Sequence, residues 1–472
     1  NVWLMLLLCV LYGFADSIWT GTIIVAWVQA LSGGVDAPNS NKDVGYVEAT
    51  QGMAMLLTAI PVGYLADKVS RQSAIRLGSV GFLIACGLTG YAVLDPNGNS
   101  LDRQYYFILG SMALWGTGQG VFNGPAMALF ADSIPQGERS KWYTRLSICY
   151  MIPSLAGPLA AIILLTVYGD TWTLNELRPV FLFGVACEVP PSLLAFFMRD
   201  ANALANGGDH AKKEEEKEDE EGKGEEKQTD EEVGSMDDAT TTTAKMKKKK
   251  GCVTVAAIPY ILFASSLVTA IGSGMTIKYF PLYFKSDITP KLSPRAVQGI
   301  YVCVPIMIAI FTVLNQALAK CLGRVQVMVL AQLVGISMLV TMSLLVDSGI
   351  TRWAIIVPIY IFRTGIMNST YPLNESILMD FVPKATRARW KSLESIASFG
   401  WCGSAVLGGV LADQTSYSST FLDTAGLQFI GVMLQSSLMW VVPRKEKKPE
   451  GEGDADGDGE GQKTLAGLTY LA

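Results

Sequence analysis

The sequence predicts an all-α polytopic membrane protein built as two six-helix bundles related by a pseudo-twofold repeat. Three observations predict it. Apolar runs of twenty or more residues recur along the chain, one long hydrophilic tract divides them six and six, and short loop motifs repeat between the two sides. Composition alone does not decide, because 50% hydrophobic and 17% charged residues in a chain of 472 also suit a large soluble enzyme. The distribution does. Polar residues collect in the gaps, and each apolar run matches the roughly twenty residues that cross a hydrocarbon core of about 30 Å.

Six spans are expected near 3–30, 46–66, 74–94, 104–130, 143–167 and 178–198. Six more are expected near 254–284, 296–318, 326–346, 353–379, 390–412 and 424–442. This gives a first bundle over 1–198, a linker over 199–252, a second bundle over 253–443 and a tail over 444–472. The linker reads EEEKEDEEGKGEEK and then TTTTAKMKKKK, too poor in apolar residues to bury a core, so a disordered tether is expected. The tail is equally polar. Its DADGDGEGQKTL sets Asp454, Asp456, Asp458 and Gly459 at the offsets of a calcium loop, but Leu465 stands where a bidentate glutamate belongs. No metal, cofactor or nucleic-acid partner is expected. The expected partners are the lipid bilayer, a small-molecule substrate and a protein docked on the acidic tails. The chain opens at Asn1 rather than Met, so a preceding segment is expected.

Lysine and arginine in the short loops set the orientation. One side holds Lys68, Arg71, Arg76, Arg139, Lys141, Arg145, Lys320, Arg324, Lys384, Arg387, Arg389 and Lys391. The other holds only Lys42, Arg103, Arg178, Lys285, Lys291, Arg295 and Arg352. Twelve against seven places the first side, the linker and both termini in the cytoplasm. The eight cysteines show no disulfide or metal spacing. The one histidine, His210, lies in the linker, so any proton coupling falls to carboxylates.

The halves repeat. DSIPQGERSKW at 132–142 and DFVPKATRARW at 380–390 share Asp, Pro, Arg and Trp at one spacing, each after the fourth span of its half. GYLADKVSR at 63–71 aligns with QALAKCLGR at 316–324, each after the second span. Between spans two and three, GYLADKVSRQSAIRLG resembles the signature loop of the major facilitator superfamily, Gly-x-x-x-Asp-(Arg/Lys)-x-Gly-Arg. Gly63, Asp67, Lys68 and Arg71 match it, and Ser70 replaces the second glycine. The Asp-x-x-Pro-x-x-x-Arg loops after spans four and ten are similar to that family's as well.

The resemblance implies two bundles that rock about a central site lined by spans 1, 4, 7 and 10, a secondary transporter rather than an enzyme. It makes Asp67, Lys68, Arg71, Asp132, Arg139, Asp380 and Arg387 gating residues. Lys320 replaces the aspartate in the second half, which is therefore expected to be wired differently. In span 5 the sequence keeps Gly157-Pro158 of the family's antiporter signature but has alanines for its last glycines, so drug antiport is not expected.

Polar residues inside the spans point to the cargo. Span 1 carries Asp16 with Thr20 one turn on. Span 4 carries Gln119 and Asn123 at i, i+4 among four glycines, a spacing that serves a substrate site and interhelical bonding equally. Span 10 carries Arg363, Asn368, Tyr371 and Glu375. Arg363 lies about ten residues from the span's outer end, about 15 Å deep, where a guanidinium stays charged and needs an anion or water. Two readings stand open: a buried pair with Asp16 or Glu375, or a clamp for a substrate carboxylate or phosphate. Lys278 lies higher in span 7 between Gly272-Ser273-Gly274 and Pro281, a broken-helix pattern that favours the upper cavity. Glu188 in span 6 receives no role.

The expected function is alternating-access transport of a small organic anion. Arg363, Lys278, Gln119, Asn123, Asn368 and Tyr371 bind it, with Asp16 and Glu375 for proton or cation coupling. The rivals are a cation or zwitterion carrier that binds on Asp16, and a transporter-like subunit or sensor that moves nothing.

Overall fold

The computed structural model describes residues 1–34, 37, 39–68, 70–95, 97–98, 100–134, 139–202, 255–382 and 394–443. The expected linker, but for its first four residues, and the whole of the expected tail lie outside them. The described helices fall into six passes before residue 202 and six after residue 255. Span 1 comprises Val2–Trp19 and Thr22–Leu31, followed by span 2 (Ser40–Lys68), span 3 (Arg71–Leu94), span 4 (Leu101–Asp132) and span 5 (Arg139–Tyr168). Span 6 comprises Leu174–Cys187 and Val189–Leu194, and span 7 comprises Ile258–Ile277 and Phe280–Ser286. Spans 8 and 9 are Pro294–Leu322 and Arg324–Asp347, and span 10 comprises Trp353–Asn368 and Tyr371–Phe381. Spans 11 and 12 are Glu394–Gln414 and Tyr417–Ser436.

Among the described residues nine passes are long and apolar enough to cross a membrane. Spans 4, 10 and 12 fall outside that set. Two of them carry the polar residues expected at the site, and the third carries Gln428.

Serines start several of the helices. Ser293 Oγ accepts from Ala296 N at 3.4 Å and Ser416 Oγ from Ser419 N at 3.1 Å, satisfying N–H groups that a first turn leaves unpaired. Span 12 accordingly begins at Tyr417, earlier than the expected 424. Span 2 begins at Ser40 rather than 46, because a carboxylate from the other half caps it. Asp413 Oδ1 accepts from Asn41 N at 3.2 Å, and Oδ2 accepts from Lys42 N at 2.9 Å.

Prolines fix three of the four breaks. Pro281, Pro372 and Pro190 sit in the first turns of the second helices of spans 7, 10 and 6, where a missing N–H is harmless. In span 7 the break falls at Lys278–Tyr279, between the glycines and Pro281. The break of span 1, at Thr20–Gly21, carries no proline signal in the sequence.

The halves meet along span 2 against span 11 and span 5 against span 8. Within the second half, spans 7 and 11 pack backbone to backbone. A Cβ on Gly408 would lie 1.8 Å from the Met275 carbonyl oxygen, and one on Gly274 would lie 2.0 Å from that of Trp401. Close approach of this kind is what small residues provide between membrane helices. Gly408→Leu is expected to leave no folded protein, checked by size-exclusion profile after extraction in detergent. A monodisperse peak with wild-type unfolding temperature would contradict this packing.

Among the described residues, the polar bonds between the halves lie toward one end of the bundle, the end opposite the basic loops. Besides the Asp413 cap, Tyr417 Oη donates to Asn41 Oδ1 at 2.6 Å and Lys285 Nζ to Gln29 Oε1 at 2.8 Å. Trp172 Nε1 donates to the Leu292 carbonyl at 2.9 Å. Arg295 bonds Asp170 through both its side chain, at 2.7 Å, and its backbone N–H, at 2.8 Å.

At the basic end the described ion pairs stay within a half. Arg71 pairs with Asp132, and Arg324 Nη1 with Asp380 Oδ2 at 2.7 Å. These are the same two places in each repeat. The arginine–aspartate pair is thus present in both halves, and Lys320, which stands where the first half has an aspartate, is exposed. The side chains of Asp67, Lys68, Arg139 and Arg387 lie outside the described residues. Among the described residues the polar bonds that join the halves gather at the far end.

Candidate functional site

Spans 1, 7 and 10 break near their middles, and the polar residues gather around the breaks. Arg363 is 5% exposed in the first helix of span 10. Its Nη2 donates to Gln428 Oε1 at 3.3 Å, and its guanidinium carbon lies 5.7 Å from the centre of the Phe280 ring. Its Nε–H has no acceptor among the described residues. No carboxylate pairs with it there, so neither Asp16 nor Glu375 takes the role that one sequence reading gave them. Tyr371 lies near enough for the charge of Arg363 to act on its hydroxyl, and keeps 58% of its own surface open. Asn368 is half-buried.

Lys278 ends the first helix of span 7 and crosses to the other half. Its Nζ lies 2.7 Å from Glu48 Oε1 of span 2 and donates to the Thr20 carbonyl of span 1 at 3.1 Å. That carbonyl is free to accept because the helix of span 1 ends there. Lys278 thus does not snorkel: with 19% of its side chain exposed, it forms a largely buried ion pair between the halves. The charge of Asp16 also falls within its reach.

Asp16 faces Glu188. Fully buried at the break of span 6, Glu188 accepts from Trp19 Nε1 at 3.4 Å through one carboxyl oxygen. The other oxygen meets no N–H or O–H donor among the described residues, and the Asp16 carboxyl lies within hydrogen-bonding reach. Span 6, peripheral on the family picture, packs directly on span 1, with Phe181 stacked on Trp19 and Ser192 within 3.4 Å of Tyr12 Oη.

The remaining expected residues divide. Gln119 Oε1 accepts from Gln51 Nε2 at 3.2 Å, a bond between spans 4 and 2, whereas Asn123 is exposed. Glu375 is half-buried in the second helix of span 10. Sequence reasoning missed Glu48, Asp413 and Gln428. The spacing Ser40-x-x-Asp43 is a helix-start signature that carries Glu48 about two turns into span 2. Thr420, Thr424 and Gln428 form a stripe at intervals of four, and all three are fully buried, which marks a polar face turned inward.

The profile of the Major Facilitator Superfamily matches residues 5–282 and again 262–470. A comparison of the sequence with curated proteins finds no significant match. Among solved structures the fold is similar to that of a D-xylose–proton symporter, with TM-score 0.67 and 15% identity over 94% of this chain and 97% of that one. It is similar to the xylose transporter XylE from E. coli in an inward-open conformation, with TM-score 0.62 and 13% identity over 92% and 94%. It is also similar to the nucleoside transporter NupG, with TM-score 0.58 and 13% identity over 93% and 100%. At these identities the likeness is one of fold. The profile match is of another kind, for it recurs in each half and takes in nearly the whole sequence: the chain belongs to the Major Facilitator Superfamily.

Proposed function

We propose that the protein is a proton-coupled secondary transporter of a small organic anion, with Arg363 as the anion site and Asp16 with Glu188 as the proton site. The observation that supports it is the buried guanidinium of Arg363, which among the described residues has an N–H left unbonded and no carboxylate paired with it. A charge at that depth is costly unless an anion completes it. Tyr371, Asn368 and Asn123 contribute the polar contacts of the cavity wall.

The charge of its loops marks the basic end as the cytoplasmic one. The acidic tracts serve as docking segments on that side. Protonation of the Asp16–Glu188 pair alters the charge that Lys278 meets, and so links proton binding to the contact between the halves.

The test is uptake by purified protein in liposomes of labelled lactate, succinate and benzoate, beside xylose and uridine. Carboxylate uptake stimulated by an inward proton gradient is expected, and Asp16→Asn is expected to lose the stimulation. Uptake of the neutral solutes alone would overturn the anion reading, and no uptake of any solute would favour the sensor.

A further inference from the structure

Gln428 belongs to span 12, which the alternating-access picture leaves outside the cavity, yet it is fully buried and holds two cavity helices at once. Its Oε1 accepts from Arg363 of span 10 at 3.3 Å, and its Nε2 donates to Ser273 Oγ of span 7 at 2.9 Å. One turn earlier Thr424 Oγ1 donates to the Gly272 carbonyl at 3.1 Å, so span 12 lies directly against the glycine stretch of span 7. A Cβ on Gly272 would come within 3.1 Å of Leu427, which shows how close that approach is.

The chemistry of this position is specific. A guanidinium offers five donors and only one is taken by Gln428. A glutamine amide orients the group through that bond without offsetting its charge. A glutamate there has the same length and shape but closes a buried ion pair on Arg363, leaving no net charge for an incoming anion. An apolar residue leaves both Arg363 and Ser273 without their partner.

From this we infer that Gln428 is a positioning and selectivity residue: it aims the Arg363 guanidinium while keeping its positive charge uncompensated, and that fixes the preference for anions. The inference rests on Arg363 being the anion site. Because Gln428 also grips Ser273, it ties the aim of Arg363 to the broken segment of span 7.

The experiment compares wild type, Gln428→Glu, Gln428→Met and Arg363→Gln in liposomes, with the labelled carboxylate that wild type carries best among lactate, succinate and benzoate. Gln428→Glu is expected to raise KM by about tenfold or more, the worth of a hydrogen bond to a charged group. Gln428→Met, close in volume, is expected to raise KM by a smaller factor with kcat kept. A purely structural role predicts the reverse, with Met at least as damaging as Glu and both lowering the unfolding temperature alike. Wild-type KM in Gln428→Glu, with Arg363→Gln inactive, overturns the role of Gln428 and leaves the anion site standing. Full carboxylate uptake by Arg363→Gln overturns the anion site and this inference with it. If Gln428→Glu does not fold, Gln428→Met decides: an unchanged KM overturns the inference.

Discussion

Arg363→Gln is expected to abolish uptake of small carboxylates, lowering kcat/KM by about a hundredfold or more, and at the same time to stabilise the protein. Both parts follow from one fact, a guanidinium buried to 5% exposure without a carboxylate among the described residues. Charge-assisted hydrogen bonds are worth about 1.5–3 kcal/mol each, so a two-point grip on a carboxylate makes up the expected loss. An uncompensated charge in a low-dielectric interior is a cost carried by the empty protein, and glutamine removes it while keeping the bond to Gln428 within reach. Arg363→Lys keeps the charge but not the fork, and is expected to fall between the two. Uptake in liposomes and thermal unfolding measure the two effects separately. Retained uptake, or a lower unfolding temperature with uptake lost, would count against this account.

The second large effect is expected at the Lys278–Glu48 pair. Lys278→Met and Glu48→Gln each leave one buried charge without its partner when the far end is closed, whereas in the open state that charge meets water. Breaking a buried pair from one side costs about 3–5 kcal/mol, so each single variant is expected to shift the closed-to-open ratio by about a hundredfold toward opening. The double variant has no stranded charge and is expected to recover most of the closure, which makes the cycle strongly non-additive. Spin labels at Leu101 and Ile350, exposed near the far end of opposite halves, report the distance between the halves. Unchanged distance distributions in both single variants would falsify the role of the pair in closure.

Much of the fold was legible because bilayer thickness forces each crossing to announce itself as an apolar run. Pro281 announced one of the breaks, whereas the signals at Pro372, Ser293 and Ser416 went unread, and the expected start of span 12 fell at 424 rather than Tyr417. The repeat was legible as well, and it extends further than the loop motifs indicated, since Arg71 with Asp132 and Arg324 with Asp380 form one ion pair twice. The site was legible only as a list. Arg363, Lys278 and Asp16 stand out because charges are rare at that depth, but their partners are remote in sequence. Lys278 bonds residues more than two hundred positions away, and Arg363 bonds a glutamine sixty-five positions on. Local pattern carries no information about such pairings. Glu188 showed the opposite failure: its charge was conspicuous, and only the packing of span 6 against span 1 shows that Asp16 is what it meets.

The Asp413 cap has a consequence for how this protein can change over time. Its partners are the main-chain N–H groups of Asn41 and Lys42, which any residue except proline supplies, with the Asn41 amide adding one bond at 2.8 Å. Substitutions at 41 and 42 therefore leave most of the contact in place, while any loss at 413 removes it. Selection acts on one side only. Related sequences will hold an acid at this position without a compensating change opposite, so a contact that closes the molecule leaves little trace among correlated substitutions.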